Sequence, residues 1–179
     1  MIIPGQLLHD RYRVIQLLSD CGFGQTWQVN EAGQPKIMKV LKTPKVLDNE
    51  EIDKAISLFA EEAQVLSQLK GPGLPEVEPD GYFCLWEGGN DRQHCLVMEK
   101  IAGTGLEDWL KENNNEPIEE ARAIAWLTQL VEIVGQLHQF HCIHRDVKPN
   151  NIILRSYPPE ANERSEERRV GKECRSRWS

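Results

Sequence analysis

No run of about 18 apolar residues occurs in the sequence, so no segment reads as a helix that crosses a bilayer. The start of the chain, from Met1 to Arg13, carries Asp10 and two arginines and has no continuous apolar core; it reads as neither signal peptide nor membrane anchor. Cysteine is sparse. The five cysteines, at positions 21, 84, 95, 142 and 174, include no C-x-x-C pair, which argues against zinc and against a disulfide framework and leaves reduced cytosolic thiols as the reading. Positive charge is in deficit, with 21 Lys and Arg against 28 Asp and Glu and a net charge of -7, so neither nucleic acid nor an anionic membrane is expected as a general partner. What remains is ordinary: 179 residues, 40% hydrophobic and 27% charged, enough for one soluble globular domain with a sizeable core, expected in the cytoplasm.

After Leu154 the apolar periodicity ends. Residues 164–179, Arg-Ser-Glu-Glu-Arg-Arg-Val-Gly-Lys-Glu-Cys-Arg-Ser-Arg-Trp-Ser, match the in-frame translation of a short-read sequencing adapter through to the last residue. We therefore expect 156–179 to be a disordered tail, with 164–179 adapter-derived and Cys174 and Trp178 without a role. Setting that segment aside removes six basic and three acidic residues from 21 and 28, which leaves 15 and 25 and a net charge of -10. A basic, nucleic-acid-binding tail is the competing reading, and the complete adapter match speaks against it.

The rest of the chain divides by its punctuation. Tyr12 to Ser19 alternates with β-branched residues and predicts a strand, the stretch Asp20 to Gly24 a turn, and Gln25 to Glu31 the hairpin partner. Gly33 and Pro35 mark a second turn before a third strand, Lys36 to Lys42, with Lys39 in its middle. Asp48 followed three residues later by Glu51 forms a capping box that starts a helix, and Lys70-Gly71-Pro72 stops it. Its Ile52, Leu58, Phe59, Val65, Leu66 and Leu69 fall near helical spacing. Two further strands are expected at Gly81 to Glu87 and Gln93 to Glu99, around Gly88-Gly89-Asn90-Asp91, and then a short helix at Leu106 to Glu112. From Pro117 a long helix should run to about His138, presenting Ile124, Leu127, Leu130, Val131, Val134 and Leu137 as one apolar face.

Directly after that helix stands His144-Arg145-Asp146-Val147-Lys148-Pro149-Asn150-Asn151. Six of its eight positions match His-Arg-Asp-x-Lys-Pro-x-Asn, the catalytic loop of protein kinases. A charged turn is the bland alternative, but six specified positions in order after an amphipathic segment are hard to obtain by accident. Five strands with one inserted helix, then helices, is also the element order of a kinase small lobe and the start of its large lobe. Residues 12 to about 155 thus resemble a bacterial, eukaryotic-like serine/threonine protein kinase, with a Gly-Phe-Gly-Gln-Thr loop and Leu-Glu-Asp-Trp-Leu helix of cyanobacterial flavour. The fold class implied is α+β, with residues 1–11 as lead-in, 12–98 as an antiparallel five-stranded small lobe, and 99–155 as hinge and large-lobe start.

The resemblance assigns roles by position. Asp146 would orient a serine or threonine hydroxyl of a protein substrate and accept its proton; an exposed aspartate titrates near about 3.9, so it would be ionised. Lys148 would neutralise the γ-phosphate of ATP and favours serine/threonine over tyrosine as the acceptor, Asn151 would hold Mg2+ through its amide oxygen, and Arg145 would pair with a phosphorylated activation loop. Lys39 matches the strand lysine that contacts the α- and β-phosphates, and Glu62 the helix glutamate that pairs with it. Glu61 lies about 100° round the helix and cannot face the same way. Met98 precedes the hinge, where Glu99 to Ile101 would offer backbone groups to adenine.

The glycine-rich loop departs from the family. Where Gly-x-Gly-x-x-Gly is expected, the chain has Ser19, Asp20, Cys21, Gly22, Phe23 and Gly24, with Thr26 where a valine usually covers adenine. Glycines matter there because residues without a Cβ let backbone N–H groups approach phosphates and allow positive φ. Cys21 is expected to be an inert small side chain rather than a reactive thiol. No Asp-Phe-Gly or Ala-Pro-Glu follows Asn151, so the 179-residue polypeptide is expected to be an N-terminal fragment, poorly soluble and without turnover. Two alternatives to an ATP-dependent protein kinase are carried: a pseudokinase acting as nucleotide-binding or scaffold module, and a small-molecule phosphotransferase on the same fold.

Overall fold

The computed structural model describes residues 2–22, 24–42, 48–69, 71–86, 92–144, 146–155 and 170–172. They form two compact units: one made of the chain up to Gln68 together with Glu76–Lys100, the other of Leu69–Pro75 and the chain from Ile101 onward.

The first unit is an antiparallel sheet with one helix. Its strands are β1 (Leu7–Leu8), β2 (Tyr12–Cys21), β3 (Gly24–Glu31), β4 (Gln34–Leu41), β5 (Tyr82–Trp86) and β6 (Arg92–Glu99), in the order β1-β2-β3-β4-β6-β5. The sheet therefore has one strand more than the five expected. β1 is only two residues long and pairs Leu7 with Arg13 and Leu8 with Tyr12, which makes part of the lead-in an edge strand. Period-two alternation sends Tyr12, Val14, Trp27, Val29, Met38, Val40, Phe83, Cys95 and Val97 into a common core on one face. The hairpin of β2 and β3 runs further than expected: Asp20 pairs with Gln25 and Cys21 with Gly24, so Asp20 and Cys21 belong to a strand and not to the turn. Two register irregularities in β2, between Val14 and Gln16 and between Leu17 and Ser19, account for the imperfect alternation of its sequence.

Helix α1 (Asn49–Gln68) follows β4. Its start is fixed by the reciprocal bonds of a capping box: the Glu51 N–H donates to Asp48 Oδ1 at 2.8 Å, and the Asp48 N–H to Glu51 Oε2 at 3.1 Å. Its buried stripe is Phe59, Ala63 and Leu66, narrower than the six-residue face expected. Phe59 meets the ring of Tyr82 in β5, centroids 6.2 Å apart. Arg11, in the tight β1–β2 connection, ties the unit together by hydrogen-bonding Glu31, Glu78 and Asp80 with three different guanidinium nitrogens. Lys36 reaches Glu78 as well, at 3.3 Å.

The second unit holds β7 (Gly103–Gly105), α2 (Leu106–Glu112), α3 (Glu120–Gln139), a 3-10 turn (Pro149–Asn151), β8 (Ile152–Arg155) and β9 (Val170–Lys172). β7 pairs with β8, Gly103 opposite Arg155 and Gly105 opposite Ile153. Neither strand was expected, because a three- or four-residue strand leaves no periodicity to read. β8 also pairs with β9, so the tail expected to be disordered from residue 156 contains a strand at Val170–Lys172. Pairing at a strand edge uses backbone groups and asks little of side chains, which is why composition gives no sign of it. The remainder of the tail lies outside the described residues, as does the Gly88–Asp91 turn.

α3 begins three residues later than the Pro117 start and buries only part of the expected face, the side that holds Leu130 and Leu137. Trp126, Ile133 and Leu137 are buried, with Leu130 packed beside them, while Ile124, Leu127 and Val131 of the expected face are 57%, 60% and 62% exposed. Trp126, Ile152 and Leu154 form a small core lined by Leu106, Trp109, Ile118 and Leu130, in which the Trp109 and Trp126 rings meet edge to face at 5.2 Å. The helix ends without glycine. His141 takes φ +58°, and the N–H groups of Cys142 and His141 donate to the Leu137 and His138 carbonyls, which turns the chain into the loop that follows.

Candidate active site

In the second unit the loop after α3 gathers three of the expected residues. Asp146 accepts from Lys148 Nζ at 2.9 Å and from Asn151 Nδ2 at 3.0 Å on the same oxygen, Oδ2. Asn151 Nδ2 donates also to the Asp146 carbonyl at 2.8 Å, and the Asn151 side chain is fully buried. The 3-10 turn makes this possible. Pro149 starts it with a fixed φ, and the Asn151 N–H bonds back to the Lys148 carbonyl at 2.9 Å, bringing Asn151 round beneath Asp146. Burial alone raises the Asp146 pKa, but the hydrogen bonds from Lys148 and Asn151 and the charges of Lys148 and His144 outweigh it and hold the carboxyl below the usual range. The group is therefore an ionised acceptor at neutral pH. His144, matched in the motif but given no role from the sequence, is buried and anchors the loop: the Asp146 N–H donates to its carbonyl at 2.8 Å. Arg145 lies outside the described residues.

In the first unit Lys39 on β4 and Glu62 on α1 form an ion pair at 2.8 Å, with their side chains only 11% and 8% exposed. Glu61 is exposed, as the 100° step round the helix requires. Thr26 is buried opposite Lys39 in the β3–β4 register, and Ser19 pairs with Thr26 across β2 and β3. Gly22 occupies the hairpin turn at φ +55°, a conformation that disfavours a Cβ, and Gly24 opens β3. Phe23 and the side chain of Cys21 lie outside the described residues. Met98 and Ile101 are buried. The Glu99 N–H donates to the Glu76 carbonyl at 2.8 Å, while the Glu76 N–H donates to Glu99 Oε2 at 3.3 Å, so of the backbone groups expected to face adenine across Glu99 to Ile101 the Glu99 N–H is already engaged.

Reading by motif missed one more group of residues. Asp20 accepts from Lys42 Nζ at 2.6 Å and from Gln25 Nε2 at 2.9 Å. The only signal available was an acidic residue within a glycine-loop pattern, with a lysine three positions beyond Lys39.

Residues 12–160 match the family description "Protein kinase domain". The chain belongs to the protein kinase family. Among curated relatives it is 35% identical over 158 residues to "Serine/threonine-protein kinase C" of Synechocystis, covering 87% of this chain and 28% of that protein. It is 32% identical over 152 residues to "Serine/threonine-protein kinase PknA" of Mycobacterium tuberculosis, covering 84% and 33%. The chain thus spans about a third or less of the length of these kinases. The fold is shared with a solved structure described as "PpkA-294 apo form", at TM-score 0.67 and 20% identity over 96% of this chain and 60% of that one. The kinase-like α+β fold stands on these matches, and no helix among the described residues is long and apolar enough to cross a membrane.

Proposed function

We propose that this kinase-family chain binds ATP with magnesium, and that the whole gene product transfers the γ-phosphoryl group to a serine or threonine hydroxyl of a protein in the cytoplasm. The observation that carries the reading is the Asp146 carboxylate, kept ionised and oriented by Lys148 and Asn151. Phosphoryl transfer has a loose transition state, so a catalyst contributes mainly by positioning and charge stabilisation. In that scheme Asp146 orients the acceptor hydroxyl and takes its proton at Oδ1 or Oδ2. Lys148, its ammonium 2.9 Å from Asp146, supplies a positive charge for the γ-phosphate. Lys39, fixed by Glu62, supplies the charge for the α- and β-phosphates.

The donor chemistry fits the cofactors. With Nδ2 directed at Asp146, the oxygen end of the Asn151 amide is a hard neutral ligand of the kind Mg2+ accepts, and the ion would neutralise phosphate charge. The test is ATP binding by the chain with and without magnesium, followed by phosphotransfer to a serine/threonine peptide by the whole gene product. Asp146→Asn should retain nucleotide binding and lower turnover by about 10²–10⁴-fold. Equal turnover in the variant removes Asp146 from the mechanism.

A pseudokinase scaffold is the second reading, favoured by Ser19 and Cys21 at two signature glycine positions. Normal MgATP affinity without phosphotransfer from the whole gene product would select it.

A further inference from the structure

The deviant glycine loop is strapped from behind. Asp20 faces Gln25 across β2 and β3, and Gln25 faces Val40 across β3 and β4. Lys42, two residues beyond Val40, points to the same side of the sheet as Val40, whereas Lys39 points to the other, where it meets Glu62 on α1. On the Val40 face four side chains form one continuous chain. Lys42 Nζ donates to Asp20 Oδ1 at 2.6 Å, Gln25 Nε2 donates to Asp20 Oδ2 at 2.9 Å, and the Trp27 indole N–H donates to Gln25 Oε1 at 3.3 Å. Trp27 is a core residue, 5% exposed. The chain therefore runs from the sheet core to the last residues before Gly22, and links three adjacent strands at their ends.

Such a link changes what the turn can do. Gly22, in the turn at φ +55°, has no side chain to hold it. Both carboxylate oxygens of Asp20 are used, one by a cation and one by an amide, so the residue cannot rotate without giving up a charged bond. Asp20 and Lys42 are each about 40% exposed, so the bond is screened by salt and modest in strength.

We propose that Asp20, with Lys42 and Gln25, is a positioning device for the phosphate-binding hairpin, holding the β2–β3 tip in its ligand-ready form where the chain lacks two of the family's glycines. The proposal rests on the nucleotide-binding reading. It assigns no contact with the nucleotide to Asp20 or Lys42, and acts through the backbone at Gly22 and Gly24.

The experiment is titration of the chain with MgATP and, separately, with adenosine, for the wild type, Asp20→Asn, Lys42→Met and the charge-exchanged pair Asp20→Lys with Lys42→Asp. MgATP affinity should fall about two- to fivefold in each single variant, a size in keeping with an exposed ion pair, and recover in the exchanged pair. Adenosine affinity and the melting temperature should stay unchanged, because the strap acts on the phosphate end alone. Raising the salt concentration should weaken MgATP binding more in the wild type than in Lys42→Met. Unchanged MgATP affinity in both single variants, or an equal loss for adenosine with a lowered melting temperature, overturns the positioning role. Absence of MgATP binding in the wild type overturns the nucleotide reading itself, and the strap with it.

Discussion

Asn151 donates through one nitrogen to two oxygens of Asp146, the carbonyl at 2.8 Å and Oδ2 at 3.0 Å, so a single buried amide sets both the backbone and the side chain of the aspartate. Replacing it by alanine strips donors from a carbonyl and a carboxylate at once. Asn151→Ala should destabilise the chain by about 1–3 kcal/mol, the cost of leaving buried polar groups without partners. It should also raise the Asp146 pKa, since one of the two hydrogen bonds that lower it is lost. Urea unfolding of both proteins checks the first effect. A carboxyl titration that does not move upward in the variant would contradict the second.

The buried pair of Lys39 and Glu62 gives a stability prediction of its own. Glu62→Gln leaves the lysine charge in a site only 11% exposed and should cost about 3–5 kcal/mol. Lys39→Met together with Glu62→Leu, which removes both charges and fills the space, should recover most of that loss. Denaturant midpoints for Lys39→Met, Glu62→Leu and the double variant decide it: additive losses would show that the two residues do not act as a pair.

His94 makes stability depend on pH in the mildly acidic range. The ring is buried on β6, its Nδ1 lies 2.6 Å from the Tyr82 hydroxyl and 3.4 Å from Cys84 Sγ, and burial, with a smaller contribution from Arg92, lowers its pKa below the ordinary histidine value. The folded chain then binds fewer protons at this site than the unfolded chain. Stability should be fully present above about pH 6.5 and decline as pH falls through that value toward the lower folded pKa. His94→Gln should flatten the difference in unfolding free energy between pH 7.5 and 5.5. An identical slope in the variant would assign the pH dependence to other groups.

Gly103 has no room for a side chain. A Cβ built there would lie 2.1 Å from the Leu154 carbonyl oxygen, and the residue sits at φ +157°, where strands β7 and β8 approach. The obstructing atom is backbone, so relief requires the strands to part. Gly103→Ala should cost about 1–3 kcal/mol and lower the melting temperature, measurable by thermal unfolding. Gly135→Ala, where nothing lies within 4 Å, serves as the control and should be neutral or stabilising.

What could be read from the sequence follows the range of the interactions involved. The Asp48–Glu51 capping box spans three residues and was legible in full, as was the choice of Glu62 over Glu61 for the face of α1 turned to Lys39. The face of α3 was legible only in part: Leu130 and Leu137 lie on the buried side as expected, while Ile124, Leu127 and Val131 do not. The buried side runs through Trp126, Leu130, Ile133 and Leu137, and Trp126 and Leu130 pack with Ile152 and Leu154 of β8 and Leu106 and Trp109 of α2, partners that helical periodicity within α3 does not reveal. The pairing of Gly103 with Arg155 joins residues about fifty positions apart and leaves no local trace. Asp20 read as a turn residue by composition, whereas its bonds to Gln25 and Lys42 keep it in the ladder. The catalytic-loop cluster was legible because its members lie within six positions of one another, but the use of the Glu99 N–H by Glu76 was not.

Arg11 shows how much can depend on shape at constant charge. Its planar head is divided among Glu31, Glu78 and Asp80, one nitrogen to each. An ammonium group at the end of a flexible stem carries the same unit charge but has no fork to spread across three anions set at different angles. Arg11→Lys, ordinarily counted a mild exchange, would therefore leave acidic neighbours repelling one another at the seam between the first hairpin and the chain entering β5, with Lys36 as the remaining cation bonded to Glu78.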